Sequence, residues 1–202
     1  MTFGMLPISM SSGMNNDTSR LRRPSSNRER RNQLRAPSPS VAEPRRPLLL
    51  AVLAFVLAAR GCPGVQRISL LGSILTAKTI PKDVDVVVTI DAAMDLTGLA
   101  RSGRRLMGKA QTINLGADIF LADATGRYLG RICRYRECHP RVLCHAQHCG
   151  QRDHLNDDLH IVTLSRELIA SPPVELWPNV IRRLPVPADV EEALLNKLDQ
   201  KQ

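Results

Sequence analysis

The sequence predicts an α+β fold, a small mixed sheet with flanking helices, over residues 47–202. Three observations predict it. Stretches with a helical period and stretches with a strand period follow one another in the order helix, strand, strand, helix, strand. The run Asp83–Ile90 is dense in β-branched residues, which suit a pleated, half-buried surface. The chain's 202 residues make about one ordinary domain with a remainder, and the remainder is visible at the N-terminus. Residues 1–46 carry nine arginines against Asp17, Glu29 and Glu43, so they hold +6 of the chain's formal +9. Rich in Ser, Asn and Pro and poor in large apolar residues, that segment buries too little surface to offset its ordering entropy. It reads as a disordered basic tail, solvated or marking an over-long start, rather than as an arm for nucleic acid.

The first ordered element is the helix 47–60. Twelve apolar residues separate Pro47 from Arg60, short of the ~18–20 that a spanning helix needs. A signal peptide would have far too long a charged lead and a poor cleavage site at 57–62. A buried helix with Pro47 in its first turn and Gly61 just past its end explains the same residues. The chain is therefore expected to be cytoplasmic and free of the membrane. Residues 67–71 form a short strand ending at Gly72-Ser73, and 74–77 begin a helical turn. Pro81 keeps the residue before it out of helical geometry, so 79–82 is a loop. Strand 83–90 follows, then helix 95–110 with Leu96, Leu99, Leu106 and Ala110 on one face. Residues 112–121 read as a third strand, 123–158 as loop-rich, 159–164 as a further strand, and 172–178 as extended. A last helix is expected from Asp189, as cap with Glu192 three residues on, to about Leu198.

The chemistry concentrates at Gly72-Ser73 and, after a nine-residue spacer, Asp83-Val84-Asp85-Val86. Alternate residues of a strand share a face, so Asp83 and Asp85 project together while Val84, Val86 and Val88 turn to the core. Two adjacent carboxylates repel unless a cation lies between them, and oxygen-only donors suit Mg²⁺ or Mn²⁺ carried with substrate phosphates. Gly72-Ser73 offers close backbone approach, N–H groups and a hydroxyl to a phosphate. Asp118, mid-strand in an apolar run, is the candidate third carboxylate; its alternatives are a solvent-facing edge or an arginine partner. Asp123 has the opposite parity. Lys82 and one of Arg101, Arg104 and Arg105 are positioned along the chain to neutralise phosphate charge.

This pattern resembles the minimal nucleotidyltransferases of the polymerase-beta superfamily, whose signature is an apolar lead into Gly-Gly or Gly-Ser, then two alternating acids entering a strand. The resemblance covers about residues 47–123. It implies that Gly72 and Ser73 hold the terminal phosphates of a nucleoside triphosphate, that Asp83 and Asp85 bind Mg²⁺, and that Asp118 helps activate an acceptor hydroxyl. Beyond 123 the chain departs from the common minimal members. It looks more like a bacterial group of nucleotidyltransferase-like proteins with a Cys-rich insert and a Pro-Pro-x-Glu-Leu-Trp-Pro tail, here Pro172–Pro178. The acceptor, whether RNA, protein or small molecule, stays open. So does a catalytically inactive member acting as a nucleotide-binding or partner subunit of a regulatory or toxin–antitoxin pair.

The insert, about 127–156, contains Cys133, Cys138, Cys144 and Cys149 with interleaved His139, His145, His148 and His154. Thiolates and imidazoles are zinc ligands, but none of the gaps between cysteines is the two-residue knuckle of tight zinc turns. A structural zinc in a nucleic-acid binder is one reading; idle thiols and solvent-facing histidines are the other. Asp157-Asp158, adjacent in sequence, point to opposite faces of any strand and are expected to cap a turn or pair with arginine. Trp177 between Leu176 and Pro178 is expected to anchor packing.

Overall fold

The computed structural model describes residues 45–136 and 144–201. The expected tail lies outside the described residues except for Arg45 and Arg46, which already belong to the first helix. Helix α1 (Arg45–Ala59) buries Leu48, Leu49, Val52, Leu53, Phe55, Val56 and Ala59, an apolar stripe wide enough to seat it on a sheet. Among the described residues no helix is long and apolar enough to cross a membrane.

Strand β1 (Val65–Leu71) leads through Gly72 into a 3₁₀ turn (Ser73–Leu75) and then β2 (Asp83–Ile90). Helix α2 (Thr97–Gln111) crosses over to β3 (Gly116–Asp123), which lies parallel to β2. A parallel pair requires such a crossover, and α2 supplies it. After β3 come β4 (Tyr128–Ile132), β5 (Leu155–Asn156), helix α3 (Arg166–Ala170), β6 (Val174–Trp177) and β7 (Ile181–Arg182). The chain closes on α4 (Ala188–Val190), a π-helical stretch (Glu191–Leu195) and α5 (Asn196–Asp199). The sheet is mixed, as expected, but larger: seven strands in the order β5-β4-β3-β2-β1-β6-β7, every pairing antiparallel except β2 with β3.

The two faces of the sheet differ in what covers them. On one, Ile68, Leu70, Val84, Val86, Val88, Ile119 and Leu121 join α1, α2 and the C-terminal helical segment in the main core. On the other, a smaller cluster of Leu71, Val87, Phe120, Tyr128 and Ile169 is roofed by Val162 and Leu164. Those two residues correct an expectation, because 159–164 is not a strand. The carbonyl of Asp158 accepts from the N–H groups of Ile161 and Val162, turning the chain, and the apolar side chains lie over the sheet instead of pairing with its edge.

Three further expectations shift. Residues 112–115 are the turn ending α2 rather than strand: Asn114 takes φ 58°, and Leu115 donates back to the carbonyl of Ala110. Asn114 therefore does not share a strand face with Asp118. The last helix is not capped by Asp189, because Pro187 holds the cap position and the Asp189 carboxylate accepts from Arg45 Nε at 2.6 Å. Strand β4, read as loop from sequence, pairs with β3 across a register break at Gly130, whose φ is 129°. Trp177 packs against the main core as expected.

Candidate functional site

The parallel register of β2 and β3 sets Asp85 beside Asp118 and Asp83 beside Gly116. Register partners on parallel strands project from the same face, so all three aspartates lie on the side of the sheet away from α1 and α2. Antiparallel pairing on the other side of β2 sets Leu71 beside Asp85. The Gly72 turn therefore starts next to the carboxylates. Gly72 takes φ 81°, and a Cβ there would run into the Asp85 carboxylate. Glycine is needed twice over, for the backbone conformation and for the space the carboxylate occupies. Ser73 Oγ accepts from the backbone N–H of Lys82 at 3.2 Å, tying the turn to the entry of β2. Lys82 itself is exposed.

Arg45 holds this turn from beneath. Its guanidinium donates to the carbonyls of Ile74 (2.9 Å), Thr76 (3.2 Å) and Lys78 (2.6 Å), and to both oxygens of Asp189. Assigned by sequence to a solvated tail, Arg45 is instead 6 % exposed and links the start of α1, the segment after Ser73 and the C-terminal helix. A single arginine at a composition boundary gives no sequence signal for such a role.

Asp118 is held by two cations. Arg131 on β4 and Arg134 just beyond it each bring a guanidinium nitrogen 3.3 Å from Asp118 Oδ1. Arg131 also pairs with Asp158 Oδ2 at 2.5 Å, and Asp158, wholly buried, accepts from the Tyr128 hydroxyl at 2.9 Å. Desolvation, reinforced by the bond to Asp158, pushes the Tyr128 phenol well above its ordinary range. Asp158 is thus the arginine-paired carboxylate expected of the Asp157-Asp158 step. Asp157 accepts from the backbone N–H of His148 and stands 2.6 Å from its ring Nδ1. Asp123 accepts from Thr125 and Arg127 at the β3–β4 turn, outside the carboxylate group.

Arg131 and Arg134 balance Asp118 and Asp158. Among the described residues no cation pairs with Asp83 or Asp85. Those two carboxylates carry an unmatched −2. Asp85 bears the consequence: desolvation first, then the charges of Asp83 and Asp118, raise its pKa to about 6. Hard oxygen donors with a surplus of two negative charges fit a divalent cation of the Mg²⁺ or Mn²⁺ type. Among the described residues no three His, Cys, Asp or Glu side chains are closed into a ligating set.

Cys133 is half-buried where β4 ends, Cys144 and Cys149 are exposed, and Cys138 lies outside the described residues. His154 Nδ1 stands 2.9 Å from Arg104 Nη2. Comparison with known proteins finds no family model, no curated protein and no solved structure that matches this chain.

Proposed function

We propose that the chain is a metal-dependent nucleotidyltransferase of the polymerase-beta type. It would transfer a nucleoside monophosphate from a nucleoside triphosphate to a hydroxyl and release pyrophosphate. The observation that carries this reading is the unmatched pair Asp83 and Asp85, next to the Gly72-Ser73 turn and in register with Asp118. Asp83 and Asp85 would hold Mg²⁺ or Mn²⁺, which supplies charge neutralisation of the triphosphate when bound. Gly72 and Ser73 would take the terminal phosphates, with Lys82 close by. The protein's own contribution is positioning and a fixed field of charge. The acceptor hydroxyl would approach on the Asp118 side.

One observation favours a second reading. Two arginines on Asp118 already satisfy the charge that an acceptor-activating carboxylate would otherwise direct at a metal. The same site could then bind a metal–nucleotide complex without transfer, as a regulatory or partner subunit. The experiment that separates them is incubation of the full chain with α-³²P-labelled triphosphates, Mg²⁺ or Mn²⁺, and total RNA, protein or small-molecule acceptors. Label transfer that disappears in Asp83→Asn/Asp85→Asn supports the enzyme. Nucleotide binding with no label on any acceptor supports the second reading, and neither binding nor transfer removes both.

A further inference from the structure

Helix α2 carries Arg101, Arg104, Arg105 and Lys109 and no acidic residue. Thr97, Arg101, Arg104 and Arg105 fall at i, i+4, i+7 and i+8, one face of the helix. Like charges at these spacings repel, so this face loses helix stability that a carboxylate at the same spacing would have restored. The segment leaving β4 adds to it. Arg136 and His154 close a cleft of about 600 Å³ against Thr97, Arg101, Arg104 and Arg105. Arg101, Arg105 and Arg136 are exposed and form no ion pair among the described residues. Arg104 is braced, donating to the carbonyl of Cys133 at 3.1 Å. Burial lowers its guanidinium below the usual range, and nearby Arg136 adds to the drop against an opposing contribution from Cys133. Four arginines line this space and no carboxylate does among the described residues, although Asp95 accepts from Thr97 at its rim; such an excess of cations forms a receptor for a polyanion.

One residue narrows the kind of polyanion. Tyr135, between Arg134 and Arg136, is 48 % exposed. It lines a second cavity of about 240 Å³ together with Arg104 and Arg134. The ring face of an exposed tyrosine flanked by arginines gives an unpaired base a stacking surface that inorganic phosphate cannot use. Arg104 borders both cavities, and Arg134, which lines the second, pairs with Asp118 of the opposite sheet face.

We infer that the α2 face and the segment leaving β4 form a binding cleft for single-stranded nucleic acid, with Arg101, Arg105 and Arg136 on phosphates and Tyr135 under a base. The binding does not depend on the carboxylate site. Only the further step, that the bound strand supplies the acceptor hydroxyl, rests on the transferase reading.

The test is fluorescence anisotropy of the full chain with labelled single-stranded 12-mers of RNA and of DNA, and with the matching duplex. It is run without divalent metal or triphosphate, so that failure here leaves the carboxylate reading untouched. The expected result is preference for single strands. Arg101→Ala/Arg105→Ala should weaken binding about tenfold and lower the salt slope by about 1.4, two phosphate contacts at ~0.7 each. Arg30→Ala/Arg31→Ala, the same charge removed from the N-terminal segment, should change it far less. Tyr135→Ala should cost about fivefold or more on oligonucleotides and nothing on tripolyphosphate, and Tyr135→Phe should restore binding. Arg136→Ala, at an exposed position, gives the same reading if the double variant folds poorly. Equal losses in the cleft and control variants would overturn the inference. So would indifference to Tyr135 with tripolyphosphate competing as well as the oligonucleotide.

Discussion

Replacing Asp85 with asparagine should stabilise the metal-free protein at neutral pH and abolish its thermal response to Mg²⁺. The Asp85 carboxyl titrates at about 6 in the folded chain, against an ordinary 3.8. Between those values the folded state holds a proton that the unfolded state has released. Stability therefore falls as pH rises through about 4 to 6 and levels off above. At full charge that shift corresponds to ~3 kcal/mol. Asp85 is only partly buried, and solvent screening reduces the figure to about 1–2 kcal/mol. For a chain of this size that is a rise of roughly 2–8 °C in Tm for Asp85→Asn above pH 6.5, shrinking to nothing near pH 4. Mg²⁺ at a hundred times its Kd should stabilise the wild-type chain by ~2.7 kcal/mol and leave the variant unmoved. Differential scanning calorimetry from pH 4 to 8, with and without Mg²⁺, reads both effects. A variant less stable than wild type at pH 7.5, or one that keeps the full Mg²⁺ gain, would show that Asp85 neither carries strained charge nor holds the metal.

Two other substitutions probe the frame of the site. Gly72→Ala puts a side chain at φ 81° and a Cβ against the Asp85 carboxylate, and should cost about 2–3 kcal/mol; a neutral effect in chemical denaturation would contradict the described turn. Arg45→Ala strips the carbonyls of Ile74, Thr76 and Lys78 and leaves Asp189 unpaired, and about 3 kcal/mol is expected at the low end for a broken buried pair, since Asp189 is partly exposed. The bonds from Arg45 hold the Asp189 carboxyl below its ordinary value of 3.8. The stability they contribute is therefore present above that pH and lost below it, and the penalty of Arg45→Ala should shrink on acidification.

What the sequence discloses follows how local each signal is. Strand β2 was legible to the residue as Asp83–Ile90, because β-branched density and alternating aspartates need no partner to be read. The apolar stripe of α1 was equally plain, though Arg45 and Arg46 looked like tail and proved to be its first residues. The sequence offers Asp118 as a third carboxylate or an arginine partner; the β2–β3 register sets it beside Asp85, and it pairs with arginines. Its partners Arg131 and Arg134 were hidden, because they reach it only through the β3–β4 pairing, and Gly130 breaks the alternation there. Strands β5 and β7 have two residues each, too short to carry any period. Val162 and Leu164 gave a strand-like pattern because roofing a sheet face and joining a sheet both call for apolar residues.

The transferase proposal requires Asp83 and Asp85 to hold a divalent cation beside the Gly72 turn. Crystals of the full chain soaked with Mn²⁺ and a non-hydrolysable triphosphate test it most directly through the anomalous signal of the metal. The expected result is a Mn²⁺ peak shared by the carboxylates of Asp83 and Asp85, with the triphosphate on Gly72 and Ser73. A peak elsewhere, with these carboxylates bare at saturating Mn²⁺, would contradict it.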